Sequence, residues 1–409
     1  MHLLAVIDAT GSRAPRGPAT VVAGLTVIER AIRLASVCGA DEIVVWIPAD
    51  HDFAISHNHP LPSGLNLTVC TANDDHSLTS PPDGLVVLNA EAVYDRSFVA
   101  RSVESIRSMA PAKSSRDGKS LLFVGRFDEP PSRLNLTDIR RIQNSARPGL
   151  SGGWAVAIDS GQAADRAARR LWNSCRKAED GLVARHLNRH VSIALSKQLA
   201  PLAIRPNHIT AMTFALGIAA AMAAAYGEYL GFLIAGLLYQ ANSVLDGVDG
   251  ELARVRYEFS LLGEWLDTIS DDLADLLMYL GLGIGAWRTM GDAPGPWGAE
   301  LWLLLGSTAA VAKILTMAVY YRWLIARGRG DLLAFEWSFE EDGSDDDALA
   351  RFLSMTRYFF RKDFIVFAAM IASIGGVLPH LLFVLAPGNA IVAISVVIQN
   401  FTDRHVPDS

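Results

Sequence analysis

The chain has 409 residues, 36 of them basic and 43 acidic, for a net charge of −7, and 51% are apolar. The length allows two or three domains, and the apolar residues are gathered in the second half, which excludes a uniformly solvated protein. Cys38, Cys70 and Cys175 lack metal-ligand spacing and are expected as thiols rather than disulfides; His51, His57 and His59 have no acid or cysteine placed to complete a zinc site.

From the start, LLAVID at 3–8 and EIVVWI at 42–47 read as buried strands. TVIERAIRLASVCGA between them reads as a helix that ends at Gly39. Strand, helix, strand in that order predicts a parallel α/β sheet in a soluble domain over 1–165. The opening stretch MHLLAVIDATG is too short and lacks a basic lead-in, so no cleavable signal is expected.

The segment from Leu4 to Val45, with Gly11-Ser12-Arg13 in its first loop, resembles the opening of a sugar-nucleotide or cytidylyltransferase domain. Three positions depart from that pattern. Ala9 stands where the first loop glycine belongs, and Gly17 stands in place of the lysine before Pro18, with Arg16 beside it. In VVLNAEAVYD at 86–95, Glu91 occupies the position of a metal-binding aspartate and Ala92 that of a histidine. A methyl group where amides approach phosphate, and a lost ammonium, weaken anion binding. The expectation is a degenerate domain that serves as a platform; the alternative is an active cytidylyltransferase that makes the CDP-alcohol from CTP.

Residues 166–207 mix basic and apolar positions at helical spacing with a break at Gly181. They are expected to form a linker and an amphipathic helix lying at the membrane interface. Apolar runs of membrane-spanning length then recur at about 208–226, 230–249, 262–286, 299–321, 364–384 and 387–402. Basic residues set their orientation. Arg185, Arg189, Lys197 and Arg205 precede the first run, Arg254 and Arg256 follow the second, and Arg322, Arg327, Arg329, Arg351, Arg357, Arg361 and Lys362 lie between the fourth and fifth. The opposite loops carry only Arg288. A multi-pass protein of the inner or plasma membrane is expected, with the N-terminal domain and the acids described next on the cytoplasmic side. The run Glu340, Glu341, Asp342, Asp345, Asp346, Asp347 reads as a solvated loop.

Asp246, Asp249, Asp267 and Asp271 stand where an apolar chain should carry no charge. The first pair is three residues apart and the second four, so on helices each pair shares one face. Unpaired acids near lipid cost several kcal/mol each, whereas two such faces brought together form a set of hard oxygen ligands for one or two Mg²⁺ or Mn²⁺ ions. Gly250, Ala253 and Gly263 remove side chains beside the acids, which suits either close packing or the approach of a base or pyrophosphate. Arg254 supplies a fixed cation.

Asp246, Asp249-Gly250, Ala253-Arg254, Gly263, Asp267 and Asp271, at these spacings, resemble the signature of the CDP-alcohol phosphotransferase family of membrane enzymes. The resemblance covers roughly residues 177–405. Asp180-Gly181, Asn188-Arg189, Ser192 and Pro206-Asn207-His208-Ile209-Thr210 resemble the lead-in of the same family. It implies an all-α bundle of six transmembrane helices over 208–405, which transfers a phospho-alcohol from a CDP-linked donor to a hydroxyl and releases CMP. Asp246, Asp249, Gly250, Ala253, Arg254 and Gly263 would hold the CDP, and the four acids the metal. Asp271 is the expected base. Lys313, an intramembrane cation, and Arg357, Arg361 and Lys362 are candidates for an anionic acceptor. The partners implied are the CDP-alcohol (CDP-diacylglycerol or CDP-inositol in type), a lipid or inositol-phosphate acceptor, membrane lipids and a second copy of the chain, with no nucleic acid. An intramembrane divalent-metal transporter is the competing class.

Overall fold

A computed structural model of the protein describes residues 2–10, 18–48, 59, 61–62, 64–74, 76–78, 80–107, 113–114, 122–126, 131, 133–145, 147–148, 153–177, 180–291, 297–327 and 361–403. The chain divides into two compact units. The first comprises Met1–Cys175, Lys197–Ala203 and Leu252–Glu258, and the second Arg176–Ser196, Ile204–Glu251 and Phe259–Ser409.

The first unit is built on a seven-stranded sheet among the described residues. Leu3–Asp8 lies between Glu42–Ile47 and Gly84–Asn89, parallel to both, and Leu67–Thr71 extends the sheet in the same sense beyond Glu42–Ile47. Leu122–Arg126 reverses direction beside Gly84–Asn89. The three central strands are continuous apolar runs because both faces of the sheet are covered. Between the first two of them runs α1 (Val27–Val37). It starts at a reciprocal cap, in which the Thr26 amide donates to Glu29 Oε2 at 2.9 Å and the Glu29 amide to Thr26 Oγ1 at 3.3 Å.

Two arginines of α1 are buried and bonded to backbone carbonyls of the same unit. Arg30 donates to the carbonyls of Val22 and Val255, and Arg33 to that of His59 at 2.8 Å. Arg256 is likewise buried and reaches the carbonyls of Leu199, Ala200 and Leu202 at 2.7, 2.8 and 2.9 Å. Arg30 thus ties Leu252–Glu258 to α1, and Arg256 ties that segment to Lys197–Ala203 within the α/β unit.

After α2 (Arg96–Arg107) and α3 (Leu136–Ser145), α4 (Gly161–Asn173) packs Ala167 and Leu171 into an apolar cluster with Val22, Val27, Val93 and Ile158. The boundary expected after residue 165 therefore falls inside a helix. The apolar stripe read as facing a membrane belongs, up to Asn173, to the core of the α/β unit.

The second unit is helical. Beyond a wide turn at Ala184–Asn188 come α5 (Arg189–Leu199), α6 (Pro206–Tyr226), α7 (Glu228–Arg256), α8 (Leu261–Thr289) and α9 (Glu300–Arg327). Pro206 opens α6, where its missing N–H costs nothing, and Ser260 caps α8 by accepting from the Gly263 amide at 2.9 Å. Close contact of α6 with α8 depends on Gly281 and Gly285, where any Cβ would collide with the carbonyls of Ala221 and Ala224. Phe232, Tyr239, Met278, Leu282 and Trp302 fill the core behind them.

Among the described residues, three helices are long and apolar enough to cross a membrane: Pro206–Tyr226, Glu300–Ala326 and Leu378–Ile398. Side chains such as Met222, Ile314 and Ile394 lie exposed on them, as lipid contact requires. α7 and α8, at 29 residues each, are about 43 Å long, but their carboxylates lower their hydropathy.

The end of the chain departs from the expected spans 364–384 and 387–402. α10 (Lys362–Ile374) stops at Gly375-Gly376, where Gly376 adopts φ +71°. One tight turn at Leu378–Leu381 then leads into α11 (Leu382–Asp403). Pro387, where the last expected run begins, sits inside α11. Gly376 supplies the left-handed conformation that follows a helix end, and a proline inside a helix removes one ladder bond and crowds the carbonyl four residues back.

Candidate active site

Asp246 and Asp249 project from one face of α7, and Asp267 and Asp271 from one face of α8. The structure brings the four together. The Asp246 carboxyl is within hydrogen-bond reach of both Asp267 and Asp271, and Asp249 lies in the field of Asp246 and Asp271. Asp249, only 5% exposed, accepts from Thr210 Oγ1 at 2.6 Å, so α6 aims one member of the cluster. Among the described residues no three acids, histidines or cysteines are placed so that together they could hold a metal ion. The carboxyls lie in one another's field, and like charges gathered in this way call for a shared proton or a cation between them. All-oxygen donors of this kind fit a hard dication such as Mg²⁺ or Mn²⁺.

A cavity of about 210 Å³ opens beside Asp246 and Asp271. Arg361 and Lys362 from the start of α10 and Asp180 and Arg189 from the start of the unit also line it. Lys362 Nζ sits 2.8 Å from Asp271 Oδ2. Arg189 grips Asp180 with Nε at 3.1 Å and Nη2 at 2.9 Å, and its third nitrogen reaches Glu251 Oε1 at 3.0 Å. Glu251 is fully buried and also accepts from Ser192 and Ser196 at 2.6 and 2.7 Å. Burial alone would raise the Asp180 carboxyl, but the Arg189 fork and the Lys177 amide outweigh it and hold the group below the usual carboxylate range. Gly181 is tied to the same wall, since a Cβ there would strike the Asp363 carboxylate that receives the Ala184 amide.

The other expected site residues divide. Gly250, Ala253 and Arg254 continue along α7 and do not line the cavity. At Gly263 a Cβ would crowd Asn207 Oδ1 and Ser260 Oγ, so close packing is one reason for the small residue. Arg357 lies outside the described residues, as do Arg329, Arg351 and the acidic run Glu340–Asp347. Lys313 does not line the cavity. Its ammonium is held by Asp272 Oδ1 at 2.7 Å and Asp275 Oδ2 at 3.2 Å, because a cation at that depth takes the nearest carboxylates. Asp272 and Asp275, with Tyr239 and Tyr321 bonded to them, were missed in the sequence. The signal was available: two further acids in the apolar run of α8 and one lone lysine in α9 require one another.

In the first unit Gly11, Ser12, Arg13, Arg16 and Gly17 lie outside the described residues, as do His51 and His57. Ala9 donates its amide to the Trp46 carbonyl at 2.8 Å, which spends on the sheet an N–H that a phosphate loop would present. Glu91 sits in the turn after Gly84–Asn89, its amide on Asn89 Oδ1 and its carbonyl receiving Ile158.

Residues 203–335 match the family model for CDP-alcohol phosphatidyltransferase. Residues 203–335 are thus similar to a CDP-alcohol phosphatidyltransferase domain. α6, α7, α8 and α9, with the four clustered acids, lie within or mostly within that match. Over 141 residues the chain is 38% identical to a "Bifunctional IPC transferase and DIPP synthase" of Thermococcus kodakarensis, covering 33% of this chain and 31% of that one. A protein of the same description from Aquifex aeolicus is 33% identical over 144 residues, covering 35% and 32%. An "Archaetidylinositol phosphate synthase" of Pyrococcus horikoshii is 34% identical over 92 residues, covering 22% and 47%. The match therefore spans about a third of the length of the first two relatives.

Proposed function

We propose that the phosphatidyltransferase domain is a Mg²⁺- or Mn²⁺-dependent membrane enzyme that moves a phospho-alcohol from a CDP-linked donor to a hydroxyl acceptor and releases CMP. The observation that carries this reading is the meeting of Asp246, Asp249, Asp267 and Asp271 beside a cavity whose other wall bears Arg361 and Lys362. Acids alone would suit a metal transporter, but an adjoining cavity that also presents Arg361 and Lys362 suits a reaction between a metal-bound pyrophosphate and an anionic acceptor. α6 to α9 and α11 are read as membrane spans, and α10, whose 13 residues rise about 20 Å, as a crossing completed by the turn at Leu378–Leu381; the acids are read at the cytoplasmic side, where CDP-linked donors occur.

In this reading the four carboxylates hold the ion, which when bound neutralises charge on the departing CMP phosphate. Gly250 and Ala253 accept the cytidine, and Arg254 pairs with a donor phosphate or one of the acids. The acceptor oxygen attacks the phosphorus that bears the alcohol, the bond to CMP breaks, and Asp271 takes the hydroxyl proton as attack proceeds. Arg361 and Lys362 bind the acceptor's phosphate, with Arg357 proposed beside them. The names of the relatives favour an inositol-phosphate acceptor. They also favour a second reading, in which the α/β unit makes the CDP-alcohol; Ala9 and Glu91 argue against it in this chain.

The test is to incubate the purified protein and Mg²⁺ with a panel of CDP-alcohols and acceptors and to identify the products by mass. CMP release that depends on an acceptor is the expected result. Metal flux into vesicles without CMP release would overturn the reading in favour of a transporter.

A further inference from the structure

The basic wall of the cavity is held from behind. Lys362 Nζ is shared between Asp271 Oδ2 at 2.8 Å and Asp275 Oδ1 at 3.4 Å. Asp271 lines the cavity; Asp275, one helical turn deeper on α8 and 5% exposed, does not. Three other helices converge on Asp275. Tyr239 of α7 donates to Oδ1 at 2.6 Å, Lys313 of α9 to Oδ2 at 3.2 Å, and Lys362 comes from α10. Lys313 is itself fixed by Asp272 at 2.7 Å, and Asp272 accepts from Tyr321 at 2.8 Å.

Three hydrogen-bonded or ion-paired groups around one buried carboxylate exceed what neutralising Lys313 requires, since Asp272 alone already meets its charge. What Asp275 adds is a second anchor for Lys362. A lysine is a point charge on a flexible four-carbon stem, and this one is 39% exposed. With Asp271 as its only partner, the ammonium would follow that carboxylate, and an acceptor phosphate would compete with Asp271 for it. With Asp275 in place, Asp271 can turn to a metal ion or to the acceptor hydroxyl while the ammonium stays at the wall.

We infer that Asp275 is a positioning residue that keeps Lys362 at the cavity wall, and that Tyr239 and Lys313 hold Asp275 in its turn. This rests on the reading of the cavity as the acceptor site.

The test uses the full chain in lipid nanodiscs with Mg²⁺, as wild type, Asp275→Asn and Tyr239→Phe. The last keeps ring and charge and removes one hydrogen bond, so it carries the comparison if Asp275→Asn fails to fold. Inositol 1-phosphate is the acceptor probe. Its KM is read from CMP release, the donor side from product inhibition by CMP, and its binding without turnover from the shift in melting temperature. The expected result is an acceptor KM raised about ten-fold in Asp275→Asn and a few-fold in Tyr239→Phe, with CMP inhibition within about two-fold of wild type. An unchanged acceptor KM, or equal changes on the donor and acceptor sides, overturns the inference and leaves Asp275 a structural counter-ion. If no CDP-alcohol yields CMP with the wild type, the proposed activity fails, and the melting shift decides alone. A shift in wild type that is lost in the variants supports the inference; equal shifts, or none in any protein, overturn it.

Discussion

Arg189 holds Asp180 through two nitrogens, at 2.9 and 3.1 Å, across eight intervening residues that turn the chain into the helical unit. The pair seals one wall of the cavity, and its third contact, to buried Glu251, ties that wall to α7. Because the fork keeps Asp180 ionised below the usual carboxylate range, its stabilising contribution is complete at neutral pH. It is lost as pH falls through the depressed folded value. Asp180→Asn is expected to lower the melting temperature at pH 7, and the difference from wild type should shrink below about pH 4, where the unfolded carboxyl also protonates. Melting curves in detergent from pH 7 to 3 check this; a difference that stays constant with pH would show that Asp180 acts without its charge.

The carboxylate cluster predicts a sharp loss of transfer. Asp249→Asn and Asp267→Asn should each abolish CMP release while the protein still inserts and folds, since a neutral amide is a poor ligand for a dication. Activity above roughly a tenth of wild type, at normal protein level in membranes, would remove the four-acid site.

How much of this was legible follows from distance along the chain. The sharing of a helix face by Asp246 with Asp249, and by Asp267 with Asp271, follows from spacings of three and four, which are local. The parallel sheet likewise follows from two apolar runs around a helix that stops at Gly39. Partnerships across tens of residues were not legible. Glu251 with Arg189 is one; for Lys313 with Asp275 the sequence held the charge requirement, a lone lysine and further acids in apolar helices, but not the geometry. α4 misled because a helix with one apolar stripe has the same pattern whether it faces lipid or a sheet. Pro387 misled because proline marks turns in water more reliably than in apolar helices.

The α/β unit is expected to lack turnover. With the Ala9 amide bonded to Trp46 and Glu91 in place of an aspartate, CTP and a phospho-alcohol should release no pyrophosphate. A coupled pyrophosphate assay on the full chain measures this. Steady production that disappears in Glu91→Ala would establish the bifunctional reading instead.

The acceptor wall gives the last expectation, and it separates two lysines that look alike in sequence. Lys362 lines the cavity, whereas Lys313 lies behind it between two carboxylates. Lys362→Met removes a charged contact to phosphate; such contacts are worth about 1.5–3 kcal/mol, or roughly ten- to a hundred-fold in acceptor KM. Its partial exposure favours the lower end of that range. Arg361, 42% exposed at its side chain, should show a smaller effect of the same sign. Lys313→Met leaves Asp272 and Asp275 with one fewer cation, so its first effect should be on yield and melting temperature, because an uncompensated buried charge destabilises the fold. A change in acceptor KM should follow only through Asp275. Steady-state kinetics with the acceptor varied at saturating donor distinguishes these outcomes. A larger acceptor KM effect from Lys313→Met than from Lys362→Met would reverse the assignment of the two residues.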